Sequence, residues 1–249
     1  MKQNRSLELI IVVVLVAVTL SVAVKHSSTP TGERTPVRGT PTPTPTTPST
    51  PQKPLLPSPR ATAEPVSSEL VPLEGKETPE LTEEHRVRFI TTAGDFVVRV
   101  YPQAAPNAAQ RFLELVDIGF YNNTAVSRVV PGFVAQFGVN PNMPTWKERT
   151  FDDDPALFQH LPGTIAFAKA GPNTNSTQVF INYVNNNRLA DPGLNFTVFG
   201  LIEGMETVEK FQPVGDSSGG LDQQRLWSDP SYLDSLTEKP TMIISAHKL

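Results

Sequence analysis

The chain contains no cysteine, which excludes disulfide bonds, thiolate metal sites, a cysteine nucleophile and a lipid anchor on an N-terminal cysteine. Only four histidines occur, and they are scattered without the spacing of metal ligands. The formal net charge of −4 offers no basic surface for a nucleic acid. We therefore expect no metal, no cofactor and no nucleic-acid partner.

The N-terminal segment combines a basic start with a long apolar run. Lys2 and Arg5 precede residues 7–24, a run about as long as the minimum needed to cross a bilayer. Such a start is typical of an export signal, and basic residues favour the cytoplasmic side of a membrane. We predict that residues 1–26 form a signal anchor that holds the chain in the membrane through residues 7–24. The small residues 21–23 leave a cleaved signal peptide open as the alternative.

Proline defines the next segment, since more than half of the 25 prolines precede residue 80. Within residues 40–48 proline alternates with threonine, and each proline fixes its φ angle and lacks an N–H donor. The segment also lacks the apolar residues that a core needs. We predict that residues 27–83 form an extended, disordered linker, with a ligand for a proline-recognition domain as the alternative.

The remaining residues, 84–249, show the patterns of a folded β domain. Residues 86–90 and 96–100 alternate between apolar and polar side chains around a turn, which predicts a β-hairpin. Apolar stripes predict a helix that begins near Pro106 and a second helix at 205–211. Further alternating runs predict strands at 125–130, 133–137, 164–168, 178–183, 196–202 and 241–247. We predict an all-β fold with capping helices, an eight-stranded antiparallel closed β-barrel with two α-helices.

An isolated cation stands in the most strongly patterned stretch, residues 127–182. Apolar side chains follow Arg128 at once, and isolated polar residues among apolar neighbours indicate a lined pocket. Taken alone, Arg128 is more simply an ordinary cation on a strand face. The acidic residues 152–154 are most simply a solvated loop, with a calcium site as the alternative.

Three motifs occur in order along this domain. Residues 128–133 read Arg-Val-Val-Pro-Gly-Phe and are followed by Gln136. Residues 170–175 read Ala-Gly-Pro-Asn-Thr-Asn and are followed by Gln178, and residues 198–200 read Val-Phe-Gly. Because several long motifs occur in the right order, the domain resembles cyclophilin-type peptidyl-prolyl cis–trans isomerases.

The resemblance implies an enzyme that rotates X–Pro peptide bonds in proline-containing polypeptides without a cofactor. It implies that Arg128 donates to the prolyl nitrogen of the twisted bond, while Gln136 positions Arg128 and the substrate carbonyl. The residues implied to bind the substrate are Phe133, Val134, Ala168, Lys169, Gln178, Phe180, Leu189 and Phe196. Among them, Ala168 and Lys169 would pair with the substrate backbone. The proline pocket would consist of Phe133, Val134, Phe180 and Leu189, which outside this pattern are more simply core residues.

The sequence departs from the commonest family pattern near this site. The departing residues are Ser127, Phe137, Lys169, Val179, Arg188 and Phe196. Arg188 precedes Leu189 where well-known eukaryotic members carry a tryptophan. These changes leave Arg128 and the proline pocket intact, but they weaken the expectation of a cyclosporin-type ligand.

The export signal and the domain together predict where the protein acts. We expect a monomer in the bacterial cell envelope that assists the folding of exported proteins, anchored in the membrane with its isomerase domain outside the cytoplasm. If the signal is cleaved, the protein is secreted or periplasmic. Glycosylation of Asn175, which begins an Asn-Ser-Thr acceptor, would place a glycan beside the pocket, and this favours a bacterial source. The alternative function is a module that binds proline-containing segments with little turnover.

Overall fold

The structure, a computed structural model, describes residues 66–249. The strands are β1 (His85–Thr91), β2 (Gly94–Val100), β3 (Thr124–Val130), β4 (Val134–Phe137), β5 (Thr164–Phe167), β6 (Val179–Asn182), β7 (Val198–Glu203) and β8 (Met242–Lys248). The helices are α1 (Pro106–Asp117), α2 (Met205–Val208) and α3 (Gln223–Ser228), with 3₁₀ turns at Pro144–Glu148 and Asn187–Ala190. The strands close into one antiparallel barrel in the order β1-β2-β7-β5-β6-β4-β3-β8, which confirms the predicted fold class.

Several predictions concern residues that the structure does not describe. The export signal at residues 1–26, its membrane segment at 7–24 and the linker as far as residue 65 all lie outside the described residues. Among the helices of residues 66–249, none is long and apolar enough to cross a membrane. The described chain therefore comprises the predicted barrel domain and the last part of the predicted linker.

The barrel closes because its first and last strands pair. β8 pairs with β1 on one side and with β3 on the other. The predicted hairpin consists of β1 and β2, in which Phe89 faces Phe96 and Thr91 faces Gly94 beside the turn. Each strand of the described barrel therefore has a neighbour on both sides, and none presents an open edge for unwanted pairing.

Aromatic side chains fill the core and attach α1 to the sheet. Phe89 stacks on Phe96 with ring centroids 5.0 Å apart, and both side chains are buried. Phe112 of α1 lies 6.1 Å from Phe89 and 5.1 Å from Phe199 of β7. The helix begins at Pro106, as predicted, because a residue in the first turn needs no N–H donor. Its apolar face is thus held against the barrel by ring contacts.

A buried carboxylate caps the N-terminus of α1. Asp154 Oδ1 accepts from the Asn107 N–H at 3.2 Å, and its Oδ2 accepts from the Ala108 N–H at 2.9 Å. The first N–H groups of a helix have no partner within it and favour negative charge. Burial raises the pKa of Asp154 above its usual range, and the two hydrogen bonds oppose that rise. The expectation of a solvated loop is therefore wrong for Asp154, and residues 66–249 contain no cluster of possible metal ligands.

Residues 66–83, which the sequence analysis assigned to the linker, lie against the barrel domain. Leu70 is only 8% exposed and packs in an apolar cluster with Phe158. The backbone adds to this contact, since the Gln159 N–H donates to the Val71 carbonyl oxygen at 2.8 Å. The folded domain thus extends further toward the N-terminus than predicted, because the few apolar residues of this segment are irregularly spaced and form neither a strand nor a helix pattern.

A third helix lies within the excursion at residues 214–240, between α2 and β8, where no helix or strand was predicted from the sequence. Asp222 caps α3, because its Oδ1 accepts from the Arg225 N–H at 3.0 Å. The helix buries Leu226, which joins an apolar cluster with Leu221. At six residues, α3 is too short to show a helical repeat in the sequence, so residues 66–249 contain three helices where two were predicted.

Leu70→Ala is expected to lower the free energy of unfolding by about 2 kcal/mol, because it removes a buried side chain and leaves a cavity. The midpoint of urea unfolding, at an unchanged slope, measures the loss. Val66→Ala is the matched control, since Val66 belongs to the same segment and is 44% exposed. Equal midpoints for the two variants would contradict the packing of this segment on the barrel.

Candidate active site

Arg128 is a buried cation on β3, with only 3% of its surface exposed. Its Nε donates to the Ser218 carbonyl oxygen at 2.5 Å, and its Nη1 donates to Gln136 Oε1 at 3.5 Å. The third nitrogen, Nη2, is buried and has no hydrogen-bond partner in the part of the chain that the structure describes. Buried donors are normally paired, and this one has a hydrogen-bonding capacity that the described residues leave unused.

Gln136 is held in one orientation by its neighbours. The pairing of β3 with β4 places Arg128 opposite Gln136 in register. While Gln136 Oε1 accepts from Arg128, its Nε2 donates to Gln178 Oε1 at 2.9 Å. Because the amide nitrogen is directed at Gln178, the amide oxygen must face the guanidinium. The structure thus brings three of the four predicted polar residues, Arg128, Gln136 and Gln178, into one connected chain of hydrogen bonds.

The Arg128 guanidinium keeps its charge despite its burial. Burial lowers the pKa of Arg128 from its usual value, because the charged form loses hydration. That usual value is so high that arginine stays protonated in proteins. The guanidinium also lies over the ring of Phe133, with Cζ 5.7 Å from the ring centroid. A permanent positive charge therefore stands beside an apolar surface.

A second apolar cluster, separate from the main core, surrounds that surface, and we call it the pocket cluster. Its buried members are Phe133, Val134, Ala166, Ala168, Phe180, Leu189 and Phe196. Phe180 and Phe196 meet edge to face with ring centroids 5.7 Å apart. All the apolar residues named from the resemblance lie in this cluster. Ala166 of β5 was not predicted, because a small side chain in a strand carries no signal of its own.

A polar network that the sequence analysis also missed supports the pocket cluster. The buried His160 ring stacks on Phe180, with centroids 6.0 Å apart and an interplanar angle of 13°. The Asn182 amide nitrogen lies 3.2 Å from His160 Nδ1, so Nδ1 accepts and Nε2 carries the proton. Nε2 then donates to the Phe196 carbonyl oxygen at 3.0 Å. Burial lowers the pKa of His160 to about 4, so the ring is neutral at physiological pH.

Lys169 is engaged within the protein. Its Nζ donates to Asp153 Oδ2 at 2.6 Å and to the Asn195 carbonyl oxygen at 3.0 Å, and only 3% of its side chain is exposed. The Ala168 N–H is also paired, since it donates to the Gln178 carbonyl oxygen at 2.9 Å. Two acceptors within the protein thus engage the Lys169 ammonium, which has three N–H donors, and the role predicted for Ala168 and Lys169 toward the substrate backbone stays a prediction. Asp153, like its neighbour in the acidic segment, is part of a buried contact.

A second guanidinium flanks the pocket cluster. Arg188 Cζ lies 5.5 Å from the ring centroid of Phe133, so two arginines contact this ring. Arg188 precedes Leu189, a buried member of the cluster, on the 3₁₀ turn Asn187–Ala190. The departure from the common family pattern at this position thus adds a positive charge next to the predicted proline pocket.

Residues 86–230 match the family model described as cyclophilin type peptidyl-prolyl cis-trans isomerase/CLD. The chain belongs to this family. It is 33% identical over 147 residues to peptidyl-prolyl cis-trans isomerase B of Escherichia coli, covering 55% of this chain and 90% of that protein. It is also 33% identical over 166 residues to peptidyl-prolyl cis-trans isomerase-like 3 of Gibberella zeae, covering 61% of this chain and 94% of that protein.

Solved cyclophilin structures agree with this assignment. The structure of a Cryptosporidium parvum cyclophilin type peptidyl-prolyl cis-trans isomerase, in the presence of the dipeptide Ala-Pro, matches with a TM-score of 0.51 and 26% sequence identity. The match covers 65% of this chain and 97% of that one. This cyclophilin is therefore an enzyme, a peptidyl-prolyl cis–trans isomerase, as its motifs implied.

As the pH falls from about 6.5 to about 4, the free energy of unfolding of this cyclophilin is expected to decrease because of His160. In this window the folded protein keeps the ring neutral, whereas a histidine in the unfolded chain takes up a proton. Because the unfolded state binds more protons, stability rises with pH, by at most about 1.4 kcal/mol per pH unit. Urea unfolding at about pH 7 and about pH 5 measures the slope.

The variant His160→Gln removes the titrating ring and should flatten this dependence. His247→Gln, at an exposed position on β8, serves as the control and should leave the slope unchanged. If the two variants lose stability equally between the two pH values, the neutral buried ring is not the cause.

Proposed function

We propose that this cyclophilin isomerises X–Pro bonds by using Arg128 as a donor to the prolyl nitrogen of the twisted bond. Rotation meets a barrier of about 18–20 kcal/mol, because resonance gives the C–N bond partial double-bond character. Twisting the bond localises a lone pair on the prolyl nitrogen. A donor to that lone pair stabilises the twisted state more than the planar one, which lowers the barrier.

The observation that carries this proposal is the unpaired Nη2 of Arg128. A buried donor without a partner costs free energy, and an acceptor on the substrate would remove that cost. The other two nitrogens of the guanidinium already have acceptors, so the direction of Nη2 is set before a substrate binds. A donor that is oriented in advance needs no reorganisation while the bond twists.

The pocket cluster would hold the proline ring while the rest of the peptide rotates. Its members offer buried apolar surface beside the guanidinium. Phe133 belongs to the cluster and also contacts the Arg128 guanidinium. Apolar contact with the ring favours the planar and twisted states about equally, so it contributes to affinity more than to rate. In this proposal Gln136 keeps Arg128 in place and positions the substrate carbonyl.

A second candidate function is a module that binds proline-containing segments with little turnover. The pocket cluster would serve such a module equally well, because binding a proline ring needs mainly apolar area. A buried, charged donor would only add a desolvation cost to that task. The unpaired Nη2 therefore favours the enzyme with Arg128 as its catalytic residue.

We further propose that the enzyme assists the folding of exported proteins outside the cytoplasm. Lys2 and Arg5 before the apolar run at 7–24 support this orientation, because basic residues stay on the cytoplasmic side. In a polyproline conformation, which rises about 3.1 Å per residue, residues 27–65 would span on the order of 100 Å. Such a reach suits a folding helper that meets many newly exported chains.

Arg128→Ala is expected to lower kcat/KM at least about a hundredfold, since the loss of one oriented donor typically costs about 3–4 kcal/mol. Arg128→Lys should recover little activity, because lysine lacks the planar fork that reaches several acceptors at once. A protease-coupled assay with a proline-containing tetrapeptide measures both variants. Arg88→Ala, at an exposed position on β1, is the control. Near-wild-type activity in a folded Arg128→Ala variant would contradict the proposed mechanism.

Protease added to spheroplasts of a bacterial host that produces the full chain is expected to release the domain at 66–249. The orientation predicted from Lys2 and Arg5 places that domain outside the inner membrane. Immunoblotting of the released fragment measures its exposure, and a variant lacking residues 1–26 should stay protected inside the cell. Protection of the full-length chain would show that the export or the orientation is wrong.

A further inference from the structure

A tight turn at residues 216–220 stands beside Arg128. The turn closes on itself, because the Asp216 N–H donates to the Gly220 carbonyl oxygen at 2.8 Å and the Gly220 N–H donates back at 2.8 Å. The next residue ties it to β3, since the Leu221 N–H donates to the Ser127 carbonyl oxygen at 2.8 Å. The turn is therefore attached at the residue that immediately precedes Arg128.

Glycine is required where the turn meets β3. A Cβ atom on Gly220 would lie 2.4 Å from the Ser127 carbonyl oxygen and 2.7 Å from Arg128 Cα, both too close for any side chain. Gly220 also has a φ of +74°, which L residues rarely adopt. The backbone of the turn thus packs directly on the backbone that carries Arg128.

The Asp216 side chain sets the conformation of the turn. Its Oδ1 accepts three hydrogen bonds: from the Ser218 N–H at 2.9 Å, from Ser218 Oγ at 2.7 Å and from the Gly219 N–H at 2.8 Å. Aspartate commonly organises turns in this way. The hydrogen bond from Ser218 Oγ, with the two backbone donors, lowers the pKa of Asp216 to about 2. With both flanking N–H groups directed at Asp216, the orientation of the Ser218 carbonyl is set.

That carbonyl oxygen accepts from Arg128 Nε at 2.5 Å. Gln136 holds the second nitrogen, Nη1, at 3.5 Å. Because a guanidinium is planar and rigid, fixing two of its nitrogens also fixes the third. The direction of the unpaired Nη2 therefore depends on the turn as well as on Gln136.

We propose that Asp216 is a positioning residue for catalysis, which aims Arg128 Nη2 through the Ser218 carbonyl oxygen. The proposal rests on the role proposed above for Arg128. Asp216 touches neither the substrate nor the reacting bond in this account. Its contribution is to hold an acceptor in place, so that the donor keeps its direction while the X–Pro bond twists.

The same excursion supplies a matched control. Asp229 Oδ1 accepts from the Ser231 N–H at 3.0 Å and from Ser231 Oγ at 2.6 Å, the arrangement that Asp216 makes with Ser218. Asp229 and Ser231 directly follow α3, and the hydrogen bonds of the Asp229 side chain are made with Ser231 and Arg225, not with Arg128 or Ser218. If activity falls merely because a turn has lost its aspartate, Asp229→Ala should also be less active. If activity falls because Arg128 is no longer positioned, Asp229→Ala should be unaffected.

Asp216→Ala is expected to lower kcat about tenfold with KM changed less than about twofold, because a misaimed donor weakens the twisted state and leaves the pocket cluster intact. Asp216→Asn should restore activity to within about threefold of wild type, since the amide oxygen still accepts from the backbone. Asp229→Ala should match wild type. In NMR spectra, the Arg128 Nε–H should exchange with water faster in Asp216→Ala than in the wild type.

A double-mutant cycle separates this proposal from the role of Arg128 itself. In the Arg128→Ala background, Asp216→Ala should cause no further loss, because the donor that it aims is absent. Multiplicative losses, an Asp216→Ala variant as active as Asp229→Ala, or an asparagine variant no better than alanine would each overturn the proposal. If Arg128→Ala alone keeps full activity, the proposed function fails instead, and the Nε–H exchange rate still reports whether Asp216 orders the guanidinium.

Discussion

A charged guanidinium is tolerated inside a protein only where acceptors and aromatic faces replace the water that it has lost. For Arg128 those groups are Gln136 on the neighbouring strand, the Ser218 carbonyl and the Phe133 ring. They converge because the pairing of β3 with β4, which shifts register between Val126 and Arg128, places Arg128 opposite Gln136, and because the excursion at 214–240 returns to β3. A slip of one residue in that pairing would turn the guanidinium to the opposite face of the sheet. The strand pairing of the barrel thus supplies the contacts that compensate the burial of the Arg128 charge.

The apolar side of the site depends on polar groups in turn. His160 stacks on Phe180 and donates to the Phe196 backbone, so a neutral imidazole links two aromatic members of the pocket cluster. Lys169 reaches the backbone of Asn195, next to Phe196, and its charge is balanced by a carboxylate. Aromatic rings alone can slide past one another. Directional hydrogen bonds to the backbone around them give the cluster one defined shape.

The barrel was predictable from the sequence because alternation, a helix-starting proline and ordered motifs are all local signals. The hairpin β1–β2 and the start of α1 at Pro106 follow directly from them. The partners that set the geometry of the site are not local. Ser218 lies 90 residues after Arg128, and Asp154 lies 46 residues from the helix N–H that it caps. Leu70 and His160 are buried by contacts with residues distant in the sequence, so no periodic pattern predicts their burial.

The place of β8 in the barrel has a consequence for synthesis. β8 follows every other strand in the chain, yet it lies between β1 and β3 and completes both. While a nascent chain is still short of Met242, the facing edges of β1 and β3 have no partner strand. Unpaired edges are where chains associate wrongly with one another. The barrel can therefore close only after Met242–Lys248 has been made, and until then the edges of β1 and β3 are open to pairing with other chains.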